Sequence, residues 1–339
     1  MTTTNKIFNP EDLIKASETL KNFGTWKIFT HKKADGDAVG SSTALYSLGK
    51  NLAKKVSWFN PDEKLPETYT YLSGFDAHEF CEKFNFEELN DVLYIFLDCS
   101  NHERGTLGWN LENKLASLNI DHHEDNNLFA RVNCVDGKAS STCEMLYRVF
   151  KAGNFEITQN IAESLYTGIW TDTGGFSFSN TSPLTHEIIA ELIRLGVEPA
   201  HISNLINQNK TQSDFLLWSR AMSRVKIFND IFAVTILKKS DFIETGADMT
   251  GTEGLSSMFM TLRGIKFIST ITEYPSGEIR LSIRSREGSP FGAGEFARTL
   301  GGGGHERAAG AKLDCPIDDA VEVLEKLIIK KYHECVNPD

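Results

Sequence analysis

Short apolar runs that each end in acid or histidine constrain this chain more than any other feature. Residues 26–30 lead into His31-Lys32-Lys33-Ala34-Asp35-Gly36-Asp37, residues 92–97 into Asp98-Cys99-Ser100-Asn101, and residues 118–120 into Asp121-His122-His123. Residues 56–59 form another run of strand length. Such runs are too short for helices and fit buried strands. Helical patterns lie between and after them: about 40–54, with Leu45, Leu48 and Leu52 on one side, then 141–151 and 161–170. Strands alternating with helices predict an α/β fold whose N-terminal domain is a parallel sheet with helices on both faces. Ligands of such sheets bind beyond the carboxyl ends of the strands. The three polar groups therefore converge on one rim, and Asp172, after the apolar run 165–170, can reach the same rim from a helix end.

The second half has a different character. Ser182-Pro183 opens a helix with Leu184, Ile188 and Leu192 on one face. It ends near Gly196, and more helix follows to Leu205. Another helix is expected over 214–225, with Ser213 placed to cap it. No Gly/Ser-rich or Pro-rich linker appears, so the expected domains are 1–188, a helical connector at 189–214, and a smaller α+β domain at 215–339. Within the last, 231–237, 264–272 and 278–283 read as strands, a glycine run precedes His305, and an amphipathic helix covers 317–332.

Charge narrows the chemistry. The chain carries 46 acidic and 35 basic side chains, a net charge of −11, which argues against a broad grip on long duplex nucleic acid. Four carboxylates gathered at one rim, Asp35, Asp37, Asp98 and Asp172, would repel one another and take up protons unless counter-charge were supplied. Two divalent cations balance them, with His31 and His122 completing the shells as neutral imidazoles. A mixed nitrogen and oxygen set favours Mn²⁺ over Mg²⁺. Two such ions about 3.5–4 Å apart can activate a water and clamp a phosphoryl group, so the chemistry implied is metal-assisted hydrolysis of a phosphate ester. The six cysteines, Cys81, Cys99, Cys134, Cys143, Cys315 and Cys335, include no CxxC pair and read as reduced thiols. No apolar run approaches the roughly 20 residues of a membrane helix, and the N-terminus reads without a signal-peptide core, so a soluble cytoplasmic protein without membrane partners is expected.

Five segments together resemble the DHH phosphoesterase family: HKKADGDAVGS, FLDCSNHERG, DHHEDN, TGIWTDTGGF and, in the second half, GGGGHERAAG of the DHH-associated C-terminal domain. The resemblance spans nearly the whole chain. It implies one metal on His31, Asp35 and Asp98, and a second on Asp37, Asp98, His122 and Asp172, with Asp98 bridging. Asp98, Asp121 and His123 are the implied catalytic group, Asp121 orienting histidine and His123 lying near the substrate phosphate. The implied cofactors are two divalent ions, Mn²⁺ first, with Mg²⁺ or Co²⁺ as alternatives. Between Arg280 and Lys312 the chain carries a net charge of +3. Substrate contacts are expected from Arg284, Ser285, Arg286, Gly303, Gly304 and His305, and from Arg104 after the second motif.

Within the family the short two-domain layout is similar to the branch acting on short RNA oligonucleotides and 3′-phosphoadenosine-5′-phosphate. That implies a 3′→5′ exonuclease on very short RNA releasing 5′-mononucleotides, with bisphosphonucleotide phosphatase activity. The alternatives are a cyclic or linear dinucleotide phosphodiesterase, a manganese pyrophosphatase or exopolyphosphatase, and a nucleotide-sensing protein without turnover. Against the pyrophosphatase, Ser285-Arg286-Glu287-Gly288 stands where those enzymes carry Ser-Arg-Lys-Lys. Oligomeric state stays open, a homodimer being common among relatives.

Overall fold

Apolar runs bounded by polar residues set the first sheet. In the computed structural model, which describes residues 8–105, 115–207, 210–304 and 306–336, they form β1 (Thr25–Phe29), β2 (Lys55–Asn60), β3 (His78–Phe80), β4 (Val92–Leu97), β5 (Ser117–Asp121) and β6 (Val132–Val135). Every pairing is parallel, in the order β3-β2-β1-β4-β5-β6. The accompanying helices are α1 (Pro10–Asn22), α2 (Gly36–Asn51), α3 (His102–Gly105), α4 (Thr142–Ala152), α5 (Gln159–Asp172), α6 (Pro183–Arg194) and α7 (Pro199–Asn207).

Alternation along each strand sorts side chains to opposite faces. Trp26 and Ile28 of β1 and Leu93, Ile95 and Leu97 of β4 enter one core with apolar residues of α1, α2, α4 and α5. Phe29, Tyr94 and Phe96 point the other way, into an aromatic cluster with Phe59 and Phe129. There α3 rests its His102 ring on Phe129, the centroids 6.1 Å apart.

Two local details differ from the sequence expectation, each for a capping reason. Helix α2 starts at Gly36 rather than near 40, because the Asp35 carboxylate accepts from the amides of Asp37 and Ala38 and caps it. Its early glycines serve packing. A Cβ at Gly40 would stand 2.6 Å from the Ser164 carbonyl oxygen of α5, so glycine lets these two helices approach.

The chain divides into two compact units, residues 1–209 and 210–339. The stretch expected to connect the domains is shared between them. Ile188, Ile189 and Leu192 of α6, with Val197 and Ile202, belong to the core of the first unit. The second unit begins with α8 (Gln212–Ser223), which is the other altered cap: Thr211, not Ser213, accepts from the Asp214 amide while the Asp214 carboxylate accepts from the Thr211 amide.

The rest of this unit is β7 (Lys226–Phe228), β8 (Phe232–Leu237), α9 (Lys239–Thr245), α10 (Leu255–Phe259), β9 (Phe267–Glu273), β10 (Ile279–Ser285), α11 (Ala293–Thr299), β11 (Gly303–Gly304), β12 (Ala308–Leu313) and α12 (Ala320–Val336). They build a mixed sheet in the order β11-β12-β10-β9-β8-β7, with β8 and β9 parallel and the other pairs antiparallel. Phe232 and Val234 of β8 face α11 and α12, while Ala233 and Leu237 face α8 and α10. Among the described residues no helix is long and apolar enough to cross a membrane, and no disulfide joins any of the six cysteines.

Candidate active site

The strand order of the first sheet reverses between β1 and β4, and the carboxyl ends of β1, β4 and β5 deliver His31, Asp98, His122 and His123 to that rim. Asp35 and Asp37 come from the start of α2, and Asp172 is the last residue of α5. His31 Nε2 lies 3.1 Å from Asp98 Oδ2 and 3.8 Å from Asp35 Oδ1. His122 Nε2 lies 3.4 Å from Asp172, 3.6 Å from Asp98 and 4.0 Å from Asp37. Three sets of ligand atoms each fall within 4.8 Å of one another: His31, Asp35 and Asp98; Asp37, His122 and Asp172; and Asp98, His122 and His123. All six residues expected to ligate metal are thus brought together, with Asp98 in two of the sets.

Asp98 adopts a left-handed backbone, φ +57°. That conformation is uncommon outside glycine, and aspartate tolerates it better than most residues. It directly follows the last residue of β4, while the Asp98 amide still donates to the Ile120 carbonyl of β5. His31 Nδ1 donates to the Lys32 carbonyl at 2.9 Å, which turns Nε2 toward the carboxylates, the orientation a metal-binding imidazole needs.

Electrostatics tests whether cations fit. Burial alone would push the His31 imidazole down, but Asp35 and Asp98 carry it up to about 11. Burial likewise opposes protonation of His122, and Asp172, Asp98 and Asp37 raise it to about 9. Burial and the neighbouring carboxylates lift Asp37 well above its ordinary value, and burial first of all takes Asp172 to about 7. Asp98, whose burial acts in the opposite sense, is held low by His31, His122 and His123. Left to its own charges, the cluster is balanced by protons on the histidines and on the raised carboxylates. Divalent cations are the alternative counter-charge, and they bind by displacing such protons. The donor set fits them.

Asp121 is fully buried. It accepts from His123 Nδ1 at 2.7 Å and from Asn126 Nδ2, so the His123 ring is fixed from behind. Asn126 is not among the residues expected from the sequence, although it sits in the same DHHEDN segment. Thr142 and Cys143, whose backbone amides both donate to the Asp37 carboxylate, are likewise unexpected. Their local signal is the Ser141-x-x-Glu144 pattern, which marks a helix start without saying what that start faces.

The expected substrate contacts are more scattered. Arg104 lies on α3, half-buried, its amide accepted by Asn101. In the second unit, Arg284 donates to the Ile283 carbonyl, and burial lowers its pKa. Ser285 donates to the Glu306 carbonyl and accepts from the Ala293 amide. Arg286 donates to the carbonyls of Met260 and Leu262. Ser285 and Arg286 thus hold their own unit together. A Cβ at Gly303 would meet nothing within 4 Å, whereas at Gly304 (φ +139°) it would strike Ala308 and Ala309 of β12. His305 lies outside the described residues.

Residues 26–169 match the DHH family, N-terminal domain, and residues 230–332 the DHHA1 domain. A Thermus thermophilus protein named bifunctional oligoribonuclease and PAP phosphatase NrnA is 31% identical over 323 residues, 93% of each chain. Its Bacillus subtilis namesake is 27% identical over 334 residues, 93% of this chain and 98% of that one. The crystal structure of an exopolyphosphatase-related protein from Bacteroides fragilis superposes with a TM-score of 0.87 at 22% identity, covering 99% of this chain and all of that one, and so shares the fold. With both family domains matched in order, and a relative above 30% identity aligned along nearly all of both chains, this chain belongs to the DHH family of phosphoesterases and is a hydrolase.

Proposed function

We propose that this protein is a 3′→5′ exonuclease on very short RNA that releases 5′-mononucleotides and also removes a phosphate from 3′-phosphoadenosine-5′-phosphate. The observation that carries this reading is the Thermus thermophilus relative of that name, aligned along 93% of both chains. The cofactors proposed are two divalent cations, Mn²⁺ foremost. His31, Asp35 and Asp98 would hold one, and Asp37, Asp98, His122 and Asp172 would hold the other. Bound there, divalent cations polarise a phosphoryl oxygen and lower the pKa of an attacking water.

The remaining work belongs to side chains. Burial opposes protonation of the His123 ring, but Asp121, which accepts from its Nδ1, and Asp98 raise its pKa. In the protonated form this favours, Nε2–H would donate to a phosphoryl oxygen as negative charge builds there. In the second unit Arg284 is the proposed phosphate grip, because its guanidinium is half-buried and forms no ion pair among the described residues. Arg104 and His305 are proposed as further phosphate contacts, and the open backbone at Gly303 as a surface a nucleotide can approach closely.

The test is incubation with Mn²⁺ and, separately, a 5′-phosphorylated diribonucleotide, 3′-phosphoadenosine-5′-phosphate, a cyclic dinucleotide and pyrophosphate. Mononucleotide from the first and AMP from the second are expected. Phosphate from pyrophosphate alone, or cleavage of the cyclic dinucleotide alone, would overturn the substrate assignment.

A further inference from the structure

Two carboxylates of the cluster, Asp37 and Asp98, come from different elements, yet one residue outside the cluster touches both. The Thr142 amide donates to Asp37 Oδ2 at 2.6 Å, and the Cys143 amide donates to Oδ1 of the same carboxylate at 2.9 Å. These are amides of the first turn of α4, which lack partners within their own helix, so each Asp37 oxygen is held by one of them. The Thr142 hydroxyl turns to the other carboxylate and donates to Asp98 Oδ1 at 3.1 Å. Thr142 is fully buried, and Asp37 and Asp98 are nearly so; water has little access to substitute for these bonds.

The consequence lies in the torsion of Asp98. Its Oδ2 accepts from His31, while its Oδ1 accepts from Thr142 and lies 3.6 Å from both His122 and His123. Asp98 would serve both cations, so the rotation of its carboxylate decides what each oxygen faces, and a carboxylate oxygen carries enough lone pairs to accept a hydrogen bond and ligate as well. We propose that Thr142 is a positioning residue of the metal centre: its hydroxyl sets the rotation of the Asp98 carboxylate, while its amide fixes Asp37. This rests on the metal-centre reading above and adds to it a residue outside the three ligand sets.

The test separates hydroxyl from shape. Thr142→Val keeps the backbone amide and nearly the same volume but removes the donor, and Thr142→Ser keeps the donor. Mn²⁺ binding is read by titration calorimetry and turnover of the diribonucleotide by steady-state kinetics. Thr142→Val is expected to weaken Mn²⁺ binding about 10- to 100-fold, the range for removing an outer partner of a ligand. At saturating Mn²⁺ it should lower kcat with KM little changed, and Thr142→Ser should recover most of both. Wild-type Mn²⁺ affinity and kcat in Thr142→Val would overturn the proposal, as would Thr142→Ser failing as badly as Thr142→Val, since the methyl and not the hydroxyl would then matter. Calorimetry reads the cation directly. A wild-type protein that binds Mn²⁺ but leaves the dinucleotide intact would refute the substrate assignment alone, and calorimetry of the variants would still decide the role of Thr142. One that binds no Mn²⁺ would refute both.

Discussion

Gly168 offers the sharpest test of how the helices build the centre, because two effects of known sign oppose each other there. It lies inside α5, one turn before Asp172. A Cβ placed on it would overlap the Cys143 sulfur, stand 3.0 Å from the Cys143 Cβ and 2.7 Å from Asp37 Oδ1. Helix propensity alone would make Gly168→Ala stabilising by about 1 kcal/mol. Forcing a methyl into a closed core costs about 1–3 kcal/mol, and here the upper part of that range applies. The Cys143 sulfur is fully buried and already packed against the carbonyls of Asp37 and Ser164, so it has no free direction in which to move. The net expectation is a loss of about 1–2 kcal/mol, which for a unit of this size is a fall in Tm of roughly 2–8 °C. Because the displaced groups are Asp37 and the residue whose amide holds it, Mn²⁺ affinity should fall by about 10-fold or more. Adding Cys143→Ala to Gly168→Ala should restore most of the stability but not the affinity, since the crowding at Asp37 remains. Scanning calorimetry and Mn²⁺ titration of the single and double variants measure both. A Gly168→Ala protein with a higher Tm and unchanged Mn²⁺ binding would show that α2 and α5 are not in the contact described, and the account of how Asp37 and Asp172 are brought together would fail.

Asp98→Ala removes the carboxylate common to two of the ligand sets and is expected to lower kcat by about 10³ or more; near-normal turnover would sink the two-cation account. Arg284→Ala should raise KM about 10-fold or more with kcat close to wild type, the pattern of lost ground-state binding, as read by steady-state kinetics on the diribonucleotide. In the second unit, the Asp241 carboxylate is buried and accepts from both terminal nitrogens of Arg224, one at 2.8 Å, and from the Lys238 amide. Burial opposes its ionisation, yet Arg224 and the Lys238 amide hold its pKa below the ordinary 3.8. A carboxylate depressed on folding contributes its full stabilisation above pH 3.8 and loses it as pH falls through the folded value. Asp241→Asn should therefore cost about 2–3 kcal/mol at neutral pH, less than a fully buried pair because a third of the Arg224 side chain is exposed. The difference from wild type should shrink in urea unfolding below pH 3.8, and a difference independent of pH would refute the ion pair as its source.

What is legible in the sequence follows from how local each signal is. The abrupt change from apolar run to acid or histidine is a local pattern, and in a parallel sheet it has one geometric outcome, so the sequence alone places His31, Asp98, His122 and His123 at a common rim. Edge strands carry less of this signal: β3 has three residues with none fully buried, and β6 has a single fully buried one, too little apolar pattern to read. Helix α1 is hard to read although Asn9 caps it and Pro10 opens it, because its apolar stripe is interrupted by charged residues. The start of α2 is obscured for a different physical reason. Glycine at positions 36 and 40 lowers helix propensity and reads as loop, but its packing function is set by Thr171 and Ser164 of α5, more than 120 residues away.

The grip of α4 on Asp37 is non-local in the same way. Ser141 and Glu144 announce a helix start, yet the amides exposed by that start meet a carboxylate 105 residues earlier in the chain. A short-range pattern can reveal a donor or an acceptor, but only the crossover of β5, β6 and α4 back onto α2 decides which acceptor it meets. The groups that would ligate metal are therefore the part of this site most visible in the sequence, because each sits at the end of its own element. The groups that aim them are the least visible, because their partners belong to another one.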